Sequence, residues 1–345
     1  MHIVTGNIHI HSRHSDGSAA IPEIAAAAAK AGLDYIIVTD HQTLSGLPEE
    51  GYHHGVLVLV GMEINRTKNH YLALGIRREI PDNDESPQAV IDAVNEQGGL
   101  GFIAHPFEKG SPFVLDGITY PWQDWKVQGF TGIEVWNWCS QWRDGIQKLL
   151  KGLFYAYFKP DGPISGPCPQ ALKLFDKIAQ KQKITAIAGS DAHNWHFRYG
   201  PFQRCIFPYE YLFRTANNSL LLKEPLSQNV KKAKKQILEA LRTGRAYIIN
   251  HLLGKADGFS FFVANEKGIF NLGDTVTLTA NTTLSVRCPF VSARHLSISI
   301  LRNGTVWQQE ENNRCNYQIT EKGTYRVEIR HKKKSWIFTN PIYVV

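Results

Sequence analysis

From residue 1 to about residue 250 the chain alternates short β-branched runs with longer runs of helical period. This order constrains the fold most, because parallel strands need a long crossover between them and a helix is the usual crossover. The runs Asn7–Ser12, Tyr35–His41, Val56–Ile64, His70–Ile76, Leu100–Pro106, Gly132–Asn137 and Ile184–His193 predict strands. Ile21–Ala31, Pro87–Gln97, Pro169–Gln180 and Val230–Thr243 predict helices, the first with Pro22 just inside its start and Gly32 just past its end. After Lys255 the helical period stops. Alternating segments at Thr275–Thr279, Ser297–Leu301, Thr324–Ile329 and Trp336–Thr339 follow, separated by turn signals such as Asn303-Gly304 and Lys322-Gly323. The expected organisation is an α/β domain over 1–254 and a small all-β, sandwich-like domain over 255–345.

Between about 109 and 169 the regular pattern weakens and aromatic residues accumulate, among them Trp122, Trp125, Trp136, Trp138 and Trp142. This stretch reads as an insertion, either packed on the domain's own surface or supplying apolar walls to a substrate. The formal charge is +7, and residues 255–345 hold most of the excess, with 12 Lys and Arg against 7 Asp and Glu. The remaining 26 basic and 24 acidic residues leave the first domain nearly neutral, which argues against a nucleic-acid groove there. Trp307 and Trp336 read as core residues. The five cysteines are odd in number, widely spaced and free of any CxxC pair, so a disulfide framework is not expected and a reducing, cytoplasmic location is. No run of about 18 apolar residues and no basic stretch leading into an apolar core is present, so neither a membrane span nor a signal peptide is expected.

The predicted strand ends carry an unusual set of residues. His9 and His11, two apart on a predicted strand, would project imidazoles from one face. Asp16 follows; the next strands end in Asp40-His41, carry Glu63 and begin at His70; later ones end in His105 and in Asp191-Ala192-His193. Any one of these has a bland reading as a turn former or a satisfied polar group. Together, on converging strand ends, they would bury many unpaired polar groups unless something binds them. Imidazole and carboxylate ligands suit zinc, manganese or iron.

These residues stand in motifs that resemble a known family. His9-Ile10-His11-Ser12, Ser15-Asp16-Gly17, Thr39-Asp40-His41, Gly61-Met62-Glu63, Ala104-His105-Pro106 and Ser190-Asp191-Ala192-His193 match, in order, the motif regions of the PHP (polymerase and histidinol phosphatase) metallohydrolases over roughly residues 5–250. The resemblance implies a distorted (β/α)7 barrel holding two or three divalent metal ions. It implies one metal on His9, His11, Glu63 and Asp191, a second on Glu63 as bridge with His70 and His105, and a third on Asp16, His41 and His193. His14 competes with Asp16 for that third site, and Asp40 reads either as a group orienting a ligand or as a turn former. Gly132-Ile133-Glu134-Val135 with Asn137, the stretch Leu241–Tyr247 and the closing Thr339-Asn340-Pro341-Ile342-Tyr343 are similar to a branch that carries a C-terminal β-module and includes carbamate-ester hydrolases.

The expected chemistry is hydrolysis by a metal-bridging hydroxide, with the metals neutralising charge in the transition state. Glu63, Asp191 and His193 are the catalytic candidates, and Asp191 or His193 would move a proton. Arg198, His196, Arg66 and Lys109 are candidate contacts for a small phosphorylated substrate. The other readings are a carboxyl or carbamate ester hydrolase, a nuclease, and a metal-binding regulatory module without activity. The β-module reads as a brace on the barrel.

Overall fold

The computed structural model describes residues 1–199, 202–288 and 295–345, with the backbone alone for 197–199, 202 and 203. The strands are His2–Ile8 (β1), Tyr35–Val38 (β2), Gly51–His53 (β3), Val56–Ile64 (β4), Tyr71–Leu74 (β5), Leu100–Ile103 (β6), Gly132–Asn137 (β7), Thr185–Gly189 (β8), the hairpin His196–Tyr199 (β9) and Phe202–Cys205 (β10), then Ala216–Leu222 (β11) and Ala246–Asn250 (β12). The helices are Ile21–Ala31 (α1), Pro87–Glu96 (α2), Trp138–Asp144 (α3), Leu149–Phe158 (α4), Pro169–Ala179 (α5), Tyr209–Leu212 (α6) and Val230–Arg242 (α7).

Seven strands in the order β1-β2-β4-β5-β6-β7-β8 form a distorted (β/α)7 barrel. All neighbours are parallel except that β5 runs antiparallel to β4 and β6. The strands read as unbroken apolar runs because both of their faces are covered. Ile37, Leu57, Leu59, Leu72 and Phe102 fill the inside, and Ala233, Ile237 and Leu241 of α7 join that layer. Their neighbours Ile36, Val38, Val58 and Val60 pack outward against Ile24 and Ala28 of α1, in the same layer as Val90 and Ile91 of α2.

The barrel closes between β8 and β1 through Ser190 N–H to the Ile8 carbonyl (3.2 Å) and His11 N–H to the Ala192 carbonyl (2.9 Å). Further down, side chains take over the outer edge of β8. Asn218 accepts from Ala188 N–H (2.9 Å) and donates to its carbonyl (2.7 Å); Asn340 does the same at Ala186 (2.7 and 3.0 Å); and Ile184 N–H donates to the Tyr343 hydroxyl (3.2 Å). These are alternate residues of one strand, whose backbone groups point to the same side, so three side chains replace a missing strand.

Asn340 and Tyr343 belong to the C-terminal all-β region, made of Ser260–Asn265 (β13), Gly268–Phe270 (β14), Thr275–Val276 (β15), Thr283–Arg287 (β16), Leu296–Arg302 (β17), Thr305–Glu310 (β18), Arg314–Gln318 (β19), Gly323–His331 (β20), Lys334–Thr339 (β21) and Ile342–Val344 (β22). One sheet, β14-β13-β16-β19, shares a core with a second that continues the barrel's own hydrogen bonding: β12 pairs antiparallel with β21. Arg326 of β20 adds a buried two-pronged bond to Asp176 of α5 (2.6 and 2.8 Å). Asn340→Ala would strand both the N–H and the carbonyl of Ala186, while the Ala246 carbonyl keeps the Asn340 backbone N–H (3.2 Å). With Asn340 1% exposed, the expected loss is about 2–4 kcal/mol of unfolding free energy, read by urea titration. A loss under about 0.5 kcal/mol would show that the C-terminal region does not hold β8.

Among the described residues no helix is long and apolar enough to cross a membrane. The five cysteines are all free. Trp336 is buried, and Trp307 is half-buried between Tyr317 and Tyr325.

Candidate metal centre

The strands end one to four residues before the histidines, and this corrects the expected geometry at the first pair. β1 stops at Ile8, so His9 and His11 do not share a strand face. His9 instead takes a left-handed conformation (φ 67°), as do Asp191 (φ 55°) and His105 (φ 26°). Such backbones are disfavoured for residues with a Cβ and persist where surrounding packing imposes them. The turn at each strand end swings its side chain over the barrel axis. His70 arrives at the same mouth from the opposite direction, because it precedes the antiparallel β5.

Glu63, at the end of β4, is the hub. Its Oε1 lies 2.7 Å from His70 Nδ1 and 3.2 Å from His105 Nε2; its Oε2 lies 3.0 Å from His9 Nε2, 3.2 Å from His11 Nε2 and 3.3 Å from His41 Nδ1. Asp191 Oδ1 is 3.2 Å from His11 Nε2 and 3.4 Å from His9 Nε2. Asp16 Oδ1 is 3.2 Å from His193 Nε2, and its Oδ2 is 3.9 Å from His41 Nε2. Potential ligand atoms gather in four overlapping groups: His9, His11 and Asp191; His9, Glu63 and His105; His41, Glu63 and His70; His11, Asp16, His41 and His193. His14 is not among them, since its imidazole meets Glu49 at 2.8 Å away from the mouth.

The donor set fits divalent cations. Both ring nitrogens of His11, Nε2 of His70 and Nδ1 of His105 are buried without an aligned hydrogen-bond partner among the described residues. Buried polar atoms left this way are disfavoured, and a metal would satisfy those that face the carboxylates. The charges agree. Burial opposes ionisation of Glu63 and Asp191, yet the surrounding imidazoles hold both well below the usual carboxylate range. Against the pull of burial, Asp191 and Glu63 raise His11 to about 10. His41, pushed down mainly by burial, falls to about 4.

Two buried carboxylates orient this set. Asp40 accepts from Ser12 N–H (2.7 Å), Ser12 Oγ (2.6 Å) and Ser15 Oγ (2.6 Å), so it fixes the loop between His11 and Asp16 and touches no imidazole. Gly17 closes that loop, where a Cβ would lie 2.0 Å from the His11 carbonyl oxygen. Glu134 of β7 was not singled out as a site residue from the sequence. Its Oε1 accepts from His9 Nδ1–H (2.9 Å), while its Oε2 accepts from His105 N–H (2.8 Å) and Asn137 Nδ2 (3.1 Å). This fixes the His9 tautomer with Nε2 toward Glu63 and Asp191. The available signal was a carboxylate inside an otherwise apolar strand. Glu134→Gln is expected to lower metal affinity about 10- to 100-fold while the fold persists, as followed by metal titration; affinity within twofold of the parent would remove Glu134 from this role.

An open cavity of about 300 Å³ lies over the ligands. Of the four substrate contacts expected from sequence, Arg66 lines it but is exposed and paired with Asp82 at 3.2 Å. Lys109 is exposed over an adjoining cleft, where its N–H donates to Asp144 (2.9 Å). His196 is exposed on β9, and the Arg198 side chain lies outside the described residues. The insertion supplies what the sequence reading missed. Tyr120 stacks on His70 (4.6 Å), and Arg143 of α3, buried and paired with Glu108, reaches the cavity wall. Trp195 covers His193 at 4.4 Å.

A seven-stranded α/β barrel whose mouth gathers six histidines and three carboxylates defines a metal-binding class. The chain belongs to the PHP family: the family model, described as the PHP domain, matches residues 7–248. An uncharacterized protein of Methanocaldococcus jannaschii is 30% identical over 154 residues, covering 41% of this chain and 84% of that protein. A phosphoribosyl 1,2-cyclic phosphate 1,2-diphosphodiesterase of Eggerthella lenta is 33% identical over 84 residues, covering 22% of this chain and 32% of that enzyme. A crystal structure from Bacteroides vulgatus, described as a two-domain protein containing a predicted PHP-like metal-dependent phosphoesterase, covers 99% of this chain and 95% of its own at 18% identity and a TM-score of 0.48.

Proposed function

We propose that the protein is a metal-dependent hydrolase of small phosphate esters. The observation that carries this reading is the convergence of imidazole nitrogens, several without an aligned hydrogen-bond partner among the described residues, on the buried Glu63 and Asp191. In it, His9, His11, Glu63 and Asp191 hold one divalent ion, Glu63, His70 and His105 a second, and Asp16, His41 and His193 a third. Bound zinc, manganese or iron would activate a water and neutralise charge on the ester. His193 donates Nδ1–H to the Asp191 carbonyl (2.8 Å), which leaves Nε2, beside Asp16, as the atom that would hold the third ion. Arg143 supplies fixed positive charge for an anionic substrate, and Tyr120 and Trp195 restrict water at the rim. Residues 1–254 are the catalytic unit, residues 255–345 its brace, and free thiols throughout suit a cytoplasmic setting.

A carboxyl or carbamate ester is the second reading, favoured by the apolar and aromatic side chains that the insertion brings to the site. Both are tested together by elemental analysis of protein purified without added metal, run beside hydrolysis of p-nitrophenyl phosphate, bis-p-nitrophenyl phosphate and p-nitrophenyl acetate with and without chelator. Two or three metals with chelator-sensitive cleavage of a phosphate is the expected result. Preference for the acetate favours the second reading. Less than one metal per chain after reconstitution overturns both and leaves a binding module.

A further inference from the structure

A helix that rests on a domain normally turns its large apolar side chains inward. The helix α4, Leu149–Phe158, does the reverse. Its buried residues are Gly152 and Ala156, one turn apart on one face. Leu149, Leu150, Leu153, Phe154, Tyr157 and Phe158 are exposed, Leu150 at 81% and Phe158 at 79%. At about 100° per residue these six side chains make one continuous face opposite the glycine and the alanine. The helix cannot simply roll over, because it lies so close to its support that a Cβ at Gly152 would come within 2.7 Å of Ile146. Its last turn is also held from the side: Arg204 of β10 stacks over the Tyr157 ring (4.6 Å) and donates to the Tyr157 carbonyl (3.4 Å). An exposed apolar face of this kind marks a contact surface.

The charges around the face decide what it meets. Lys148, Lys151 and Lys159 flank it, are exposed and have no ion-pair partner among the described residues. Arg204 adds a fourth cation beside Tyr157, and residues 145–160 contain no Asp or Glu. The nearest acids along the chain are already engaged: Asp144 accepts from the N–H groups of Lys109 and Gly110, and Asp161 pairs with Lys334 at 2.7 Å. We infer that α4 seats the protein on the surface of an anionic lipid bilayer, with the apolar face among the upper acyl chains and the lysines at the phosphates. Lysine suits such a border, since its stem covers apolar surface while its ammonium reaches the headgroups. With ten residues α4 is far shorter than the roughly 20 that span a bilayer, so the contact is at the surface. A second copy of the chain is a poorer match: at a two-fold interface the face meets itself, and the lysines of one copy would lie against those of the other with no carboxylate from 145–160 to answer them. This inference is independent of the hydrolase reading.

The test is flotation of the full chain with vesicles of phosphatidylcholine alone or mixed with phosphatidylglycerol, at low and at high salt, beside light scattering of the protein without lipid. Binding to the mixed vesicles is expected to be at least about tenfold tighter than to phosphatidylcholine, and to weaken as salt rises. The double variant Leu150→Gln, Phe158→Gln, which removes two of the most exposed apolar side chains and keeps good helix formers, is expected to abolish flotation with an unchanged Tm. The triple variant Lys148→Gln, Lys151→Gln, Lys159→Gln leaves the apolar face intact and should lose about fivefold in affinity for each lysine, bringing mixed vesicles down to the level of neutral ones. Absence of flotation with either vesicle overturns the inference, as does flotation that both variants retain. A dimer of the parent protein that the double variant dissolves, with no flotation, gives the face to a second copy and overturns it as well.

Discussion

Glu63→Gln is expected to remove bound metal and to reduce ester hydrolysis by roughly a thousandfold or more, about 4 kcal/mol of transition-state stabilisation. The substitution changes no volume. It removes the one charge that lies within 3.3 Å of five imidazole nitrogens, from His9, His11, His41, His70 and His105. No other carboxylate can take over, because Asp191 reaches only the His9, His11 and His193 side of the cluster and Asp16 only the His11, His41 and His193 side. The metal-free variant should also be less stable, by about 3–5 kcal/mol, since breaking a buried ion pair leaves its partners uncompensated. Elemental analysis, kcat/KM and urea unfolding read the three effects. A variant that retains full metal content and activity within tenfold of the parent would show that Glu63 is not the hub.

The second large effect is the pH dependence of the metal-free protein. His11 has a folded-state pKa of about 10, well above its ordinary value of 6.5, because Asp191 and Glu63 outweigh its burial. Its contribution to stability is therefore fully present below pH 6.5 and is lost as pH rises through about 10. His41, lowered mainly by burial to about 4, acts on the acid side: the unfolded imidazole binds a proton below pH 6.5 that the folded one refuses until about 4, so stability declines over that interval. Asp16, which His193 and its neighbours lower to about 2 against its partial burial, adds stability above 3.8 that disappears as pH falls through about 2. Chelator-treated protein should show its highest Tm near pH 6.5 and a falling Tm from pH 7 to pH 9. Metal ions displace these protons, so their binding should release protons and tighten as pH rises. Added manganese or zinc should flatten the alkaline fall. A Tm that holds or rises between pH 7 and pH 9 without metal would contradict the electrostatics of the cluster.

Much of the site was legible because each ligand sits where a strand pattern stops. His41, Glu63, His105 and Asp191 could be placed at one mouth from the strand register alone, without knowing any contact. Glu134 was less visible, since a single carboxylate in the apolar run of β7 has no partner in sequence, and its partner His9 is 125 residues away. Arg143 was hidden among the aromatics of the insertion, a stretch with no period to say which side faces the mouth. The expected His9 and His11 pincer was placed on the wrong local structure: a left-handed turn at His9 is not signalled by the residue type, and tertiary contacts impose it.

The sequence by itself determined the alternation of strands and helices, the change to β-structure after Lys255, and the identity of the metal-ligand candidates, because periodicity and residue chemistry are local properties. Only the tertiary structure decided that β5 reverses so that His70 joins the others, that Asn218, Asn340 and Tyr343 stand in for a strand along β8, and that one sheet runs from the barrel into the C-terminal region. Those outcomes depend on pairings between residues far apart in the chain, where long-range packing and hydrogen-bond satisfaction select among arrangements that local preference leaves equal.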